Sequence, residues 1–326
     1  MAGAHDLIPI LIVNDCEPDT REPKPGAGKP WVGFERYFEF LSGKRDEIAQ
    51  RTGRAAHFSW FWRMDPQIAL SYGSADWALR TYARHIAEAQ RCGDEIAAHV
   101  HAYRWDAALA RWIADFADEA WMESCVRGAL AEYERALGEP CRIFSFGDGW
   151  HNQASVRLIE RLGVKIDLTL EPDCDAPAPG GPGELTTGVH PDRSAIPARP
   201  YRPSAADFTR PDTDGSTQLW FLPMSTGPEH PGWAKRRPGL FARLAGAKPP
   251  RTKINLAFEP ERFWPMLEAA LSGPRPYAAI SVRTDVGDNA GLLRYAEHNL
   301  HALLDHSHAA RFAFMAPTEA LAALTS

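Results

Sequence analysis

The sequence lacks the marks of several protein classes. No apolar run approaches the roughly 18 residues that a membrane-spanning helix needs. The five cysteines, Cys16, Cys92, Cys125, Cys141 and Cys174, are odd in number and scattered, with no CxxC pair. That excludes a disulfide framework or a cysteine zinc site and predicts free thiols in a reducing cytoplasm. Positive charge is not in excess: 36 Lys and Arg stand against 42 Asp and Glu, a net charge of -6. Neither nucleic acid nor an anionic membrane is therefore an expected partner. The apolar run over 7–13 has no basic segment before it and no small-residue cleavage site after it. It reads as a buried strand rather than a signal peptide, and a cytoplasmic location is expected. No internal repeat is visible.

What is present suits a large core. The chain has 326 residues, 44% of them hydrophobic, enough for one or two globular domains. Eleven tryptophans include the close pairs Trp60 and Trp62, Trp105 and Trp112, Trp220 and Trp233. Most are expected in the core or at a barrel rim, and some read as platforms for sugar rings. Short apolar runs alternate with helix-length amphipathic stretches, which predicts βα units in an α/β fold. Strands are expected over 7–14, 56–62, 142–146, 164–170, 218–223, 277–282 and 311–315. Helices are expected over 34–50, 76–92, 107–137 (as one or two), 152–162, 260–271 and 291–306, with a short one at the end. One domain over 1–326 is expected, interrupted by Pro/Gly-rich or basic insertions at about 171–216 and 227–253. A loop as long as the first is either a functional lid or a surface insertion.

Two clusters carry chemistry. Asp15 and Glu17 directly follow the first apolar strand, where barrel folds place reactive groups. His99 and His101 close the run 95–101. Residues at i and i+2 of an extended segment project to one side, so each pair can face one site. A lone acidic turn or a lone His-x-His in a chain with 12 histidines says little; their strand context favours ligands. A carboxylate with two imidazoles leaves coordination positions open for water and substrate. Zinc is the foremost candidate for the divalent ion, and Ni, Co, Mn or Fe fit the same donors. The second carboxylate, Asp15, then reads as a general base.

The order and spacing of these motifs resemble the polysaccharide deacetylase-like superfamily (NodB homology, carbohydrate esterase family four). Asp15 matches the family's base and Glu17 its acidic metal ligand, with one residue inserted between them. The stretch 93–99 resembles the motif that leads to the first metal His. The second His usually comes four residues later, where Tyr103 stands, so His101 takes its place. The block 144–150 with the helix 152–163 and strand 166–169 matches most specifically, and weaker likeness runs through 277–283 and 312–318. The resemblance implies a distorted (β/α) barrel and a metal-dependent hydrolase, a deacetylase of an N- or O-acylated sugar or glycan precursor. In that chemistry water on the metal attacks the acyl carbonyl and Asp15 takes its proton.

The chain departs from the pattern twice. Ser145 stands where the family has an Arg supporting the base, and Arg283 where it has a His acting as acid. An arginine cannot donate its proton at neutral pH. Arg283 therefore reads as an oxyanion or anion contact, and Asp148 or His151 as the acid. Trp60, Trp62, Trp105, Trp150 and Tyr201 are the expected sugar-stacking residues, with Arg104 as a further anion contact. Two alternatives stay open: a catalytically silent glycan-binding relative, and an amidase on a non-sugar amide. The expected partner is a small-molecule or glycan substrate; the oligomeric state is not set by the sequence.

Overall fold

The computed structural model describes residues 7–174, 185–229, 250–273 and 275–326. Most of the basic stretch 227–253, with Trp233, and part of the 171–216 insertion lie outside the described residues. Eight strands form one sheet: β1 (Ile8–Cys16), β2 (Ser59–Arg63), β3 (Glu95–Val100), β4 (Ile143–Phe146), β5 (Ile166–Asp167), β6 (Trp220–Phe221), β7 (Ala278–Arg283) and β8 (Phe312–Phe314). The order is β7-β1-β2-β3-β4-β5-β6, with β8 beside the start of β1, and every pairing is parallel. Parallel neighbours need crossover connections, and helices supply most of them. Between β6 and β7 the residues 254–256 complete the ladder: Ile254 N–H donates to Ser225 O at 2.8 Å, and Asn255 bridges Ser281. The sheet thus curls into a distorted (β/α) barrel, the α/β class expected.

Alternation along the strands sorts the side chains into two cores. Leu11, Val13, Phe61, Ala97, Ile143, Ile166 and Ala279 form one cluster, which fills the barrel. Ile10, Ile12, Trp60, Trp62, Ala98, Val100, Phe144 and Ile280 join a second, between sheet and helices. The alternation follows from the two-residue period of a strand, and both faces are apolar because both are covered. The first face matters for function. Followed toward the strand ends, it runs from Val13 to Asp15, from Ala97 to His99 and from Ala279 through Ser281 to Arg283.

Local departures from the sequence reading have visible causes. The segment 107–137 is helical only over Glu119–Leu137. Before it, Tyr103–Asp106 and Arg111–Asp115 form an antiparallel hairpin, which Leu185–Thr187 extends. The Asp106 carboxylate accepts the backbone N–H groups of Ala108 and Leu109, Ala110 turns left-handed at φ 51°, and Trp105 pairs edge-on with Trp112. These turn and cross-strand contacts override the helical propensity of the alanines. The expected helix over 34–50 breaks at Lys44, and that over 76–92 breaks at Tyr82. An extra helix, Pro66–Tyr72, starts from an Asp65 cap that accepts from Gln67 and Ile68 N–H.

Candidate metal centre

The C-terminal ends of β1 and β3 deliver the two motifs to one pocket of about 220 Å³. Asp15, Glu17, His99, His101, Ser145, Asp148 and Arg283 all line it. Glu17 Oε1 lies 3.5 Å from His99 Nε2 and 3.6 Å from His101 Nε2, and the two Nε2 atoms are 3.0 Å apart. Among the described residues these three form the one cluster of His, Cys, Asp or Glu with metal-binding spacing, and all are buried. The circle through the three donor atoms has a radius of about 2.0 Å, close to the ~2.1 Å bonds that zinc makes to imidazole or carboxylate. The donor set and its spacing therefore fit a divalent cation.

The surroundings turn both imidazoles the right way. Asp148 Oδ2 is 3.2 Å from His101 Nδ1. Burial works to raise the Asp148 pKa, but His101, hydrogen-bonded to it, and Arg21 outweigh that and hold the group well below the usual carboxylate range. An ionised carboxylate only accepts, so Nδ1 of His101 carries the proton toward Asp148, and Nε2 is the nitrogen turned to Glu17 and His99. Ser145 Oγ, 2.6 Å from His99 Nδ1, is placed to accept the same proton on that ring. Such outer partners fix ring orientation and tautomer in metal sites.

Glu17 is ionised for a parallel reason. Burial pushes its carboxyl upward, but Arg283 and then Arg63, with the two imidazoles, hold it well below the ordinary value. Arg63, wholly buried at the end of β2, donates to Glu17 Oε2 at 3.0 Å, to Asp65 Oδ2 at 2.6 Å and to Gln67 Oε1 at 2.7 Å. Asp65 also accepts the backbone N–H of His101 at 3.1 Å. Arg283 reaches Glu17 Oε2 at 3.3 Å and grips Asp285 with Nη2 at 3.0 Å.

The turn that carries Asp148 is tightly determined. Asp148 has φ 59°, a left-handed conformation that costs a non-glycine residue roughly 1 kcal/mol or more. Gly147 lies so close to the His101 ring that an added Cβ would sit 2.3 Å from it. Arg193, from the 171–216 insertion, ties the turn down by donating to the Gly149 carbonyl at 2.7 Å and the Asp148 carbonyl at 3.2 Å. Its other amine reaches Glu171 at 3.0 Å, and Glu171 in turn pairs with Lys253 at 3.2 Å.

Several expected site residues lie elsewhere. Trp60 and Trp62 face the helices, packed on Phe34, Phe38 and Tyr82, and are at most 1% exposed; they are core residues. Trp105 packs edge-on against Trp112 in the hairpin. Trp150 is buried flat on Phe116, its indole N–H donating to Val189 O. Tyr201 is buried with its hydroxyl donating to Phe208 O. Arg104 pairs with Asp115 and Asp118 over the Trp121 ring. None of these six lines the metal pocket. His151 is 1% exposed, between Asp167 and Ser155, which removes it as a proton donor to the pocket. The sequence reading missed Arg63, Arg193 and Lys253. Strand parity would have found Arg63, since it shares the Phe61 face of β2; nothing in the composition marks Arg193 or Lys253.

No protein-family model matches the chain, and no curated protein matches its sequence. Solved structures do. A protein described as a polysaccharide deacetylase from Mycobacterium smegmatis aligns over 100% of this chain and 93% of its own, at 13% identity and a TM-score of 0.53. The chain has the polysaccharide deacetylase fold. A glycoside hydrolase/deacetylase from Parabacteroides distasonis matches 97% of this chain and 70% of its own, at 12% identity and a TM-score of 0.55. The Puue allantoinase matches 99% of this chain and 93% of its own, at 12% identity and a TM-score of 0.51. In this version of the deacetylase fold the pocket opens at the C-terminal strand ends, where barrel folds carry chemistry. Among the described residues no helix is long and apolar enough to cross a membrane.

Proposed function

We propose that the chain is a metal-dependent hydrolase of an acyl C–N or C–O bond, with Glu17, His99 and His101 holding a divalent cation. The observation that carries this reading is the convergence of those three donor atoms in the pocket that Asp15 also lines. A cation held there supplies Lewis acidity to a carbonyl oxygen and lowers the pKa of a water molecule. Asp15, outside the ligand cluster but in the same pocket, accepts the proton of the attacking water and returns it to the leaving group. The pocket walls support that double duty: both histidines are in the candidate ligand cluster and Asp148 is held ionised beside His101. Asp148 and Ser145 are positioning residues, each orienting one imidazole. Arg283 is pinned between Glu17 and Asp285 and keeps Glu17 ionised. The relatives described as deacetylases and as an allantoinase support acyl hydrolysis as the reaction type. Replacing Asp15 by Asn tests the assignment. Hydrolysis of an acylated substrate should fall by about 10²-fold or more while metal content stays at one per chain. Unchanged turnover, or loss of the metal with the activity, would contradict it.

A further inference from the structure

The pocket that the three candidate ligands line holds further charged groups. Lys253 stands in it, about one-third exposed, with its ammonium 3.2 Å from Glu171. That carboxylate is already matched by the buried Arg193 at 3.0 Å, so two cations share one anion. Burial works against the charge on Lys253, yet Glu171 and then Asp15 outweigh it and lift the pKa to about 12. The amine is thus protonated at neutral pH, and among the described residues its ion pair is the one with Glu171, which uses one of its three N–H bonds. Taken together, the pocket is lined by four carboxylates (Asp15, Glu17, Asp148, Glu171) and three basic side chains (Arg21, Lys253, Arg283). A divalent cation turns that balance to a single positive charge. No Trp or Tyr is among the described lining residues. Val13, Phe146, Leu168 and Met224 supply a short apolar strip instead.

We propose that the substrate is a small acylated compound carrying a carboxylate near the scissile acyl group, and that Lys253 is the residue that receives this carboxylate. The inference rests on the hydrolase reading, because it places the acyl carbonyl at the Glu17, His99 and His101 cluster. Lys253 suits the part better than the neighbouring arginine. Arg283 has its fork committed to Glu17 and Asp285, whereas the Lys253 ammonium is a rotatable point charge whose ion-pair partner Glu171 is shared with Arg193.

Calorimetric titration of the zinc-loaded protein with N-acetylglycine and with its neutral analogue N-acetylglycinamide tests this. The wild-type protein should bind the carboxylate at least about tenfold more tightly, as a charge-assisted hydrogen bond implies. Lys253→Met should abolish that preference, leave the affinity for the neutral amide unchanged and keep one zinc per chain. Lys253→Arg, which restores the charge, should recover most of the preference. A merely structural Lys253 would weaken both probes alike. Equal binding of the two probes by wild-type protein, binding of neither, or a preference that survives in Lys253→Met overturns the proposal. If wild-type protein takes up no zinc, the hydrolase reading falls, and the same comparison on metal-free protein still decides the role of Lys253.

Discussion

At the scale of single residues, the site depends on groups that do not themselves face the reaction. Gly147 allows the His101 ring to lie against the backbone, and Asp148 accepts a left-handed conformation to reach Nδ1 of that ring. Gly147→Ala should therefore displace His101 and weaken metal binding, read as a lower zinc affinity in competition with a chromophoric chelator. Ser145→Ala removes the acceptor for the His99 N–H. It should cost about 10- to 100-fold in the same affinity with little change in thermal stability. The two positions differ in legibility. Ser145 stands out as a departure from the family pattern, but its contact with His99 is a fact of three dimensions. Tryptophan was the misleading residue type. Trp62→Ala should destabilise the fold by about 3–5 kcal/mol in denaturant titration and leave ligand binding by the remaining folded protein unchanged.

At the scale of elements, strand parity decides who takes part. Asp15 shares the face of Val13, His99 that of Ala97, Arg283 that of Ser281, and all point into the pocket. The paired motifs could be read in sequence because a two-residue spacing survives any uncertainty about where a strand ends. The tryptophans of β2 lie on the other parity, which is why proximity to a strand end did not make them ligand contacts. The same rule places Arg63 inward. Its partner Asp65 serves three elements at once: it caps the helix Pro66–Tyr72, holds Arg63 and accepts the His101 backbone N–H. Asp65→Ala should cost about 3–5 kcal/mol, because it leaves part of a fully buried guanidinium uncompensated as well as removing a cap. An equilibrium denaturation curve within about 1 kcal/mol of wild type would show that Arg63 does not depend on it. The hairpin Tyr103–Asp106 and Arg111–Asp115 was illegible for the converse reason: its alanines favour helix locally, and its stabilising contacts are cross-strand.

At the scale of the whole molecule, the barrel brings together groups separated by most of the chain. The βα alternation and the order of motifs were readable because each strand carries its own pattern. The contribution of the 171–216 insertion was not, since Arg193 and Glu171 act through backbone carbonyls and an ion pair with no periodic signature. A cation that binds only the folded barrel must stabilise it, by about 2.7 kcal/mol at a hundredfold excess over its dissociation constant. Chelation should accordingly lower the melting temperature by several degrees, and re-addition of zinc should restore it. The most direct test of the account is an anomalous-scattering map from a crystal grown with zinc. It should show one peak within about 2.0–2.3 Å of Glu17 Oε1, His99 Nε2 and His101 Nε2. A peak bound by other residues, or none at full zinc occupancy of the solution, would contradict the metal centre and the chemistry built on it.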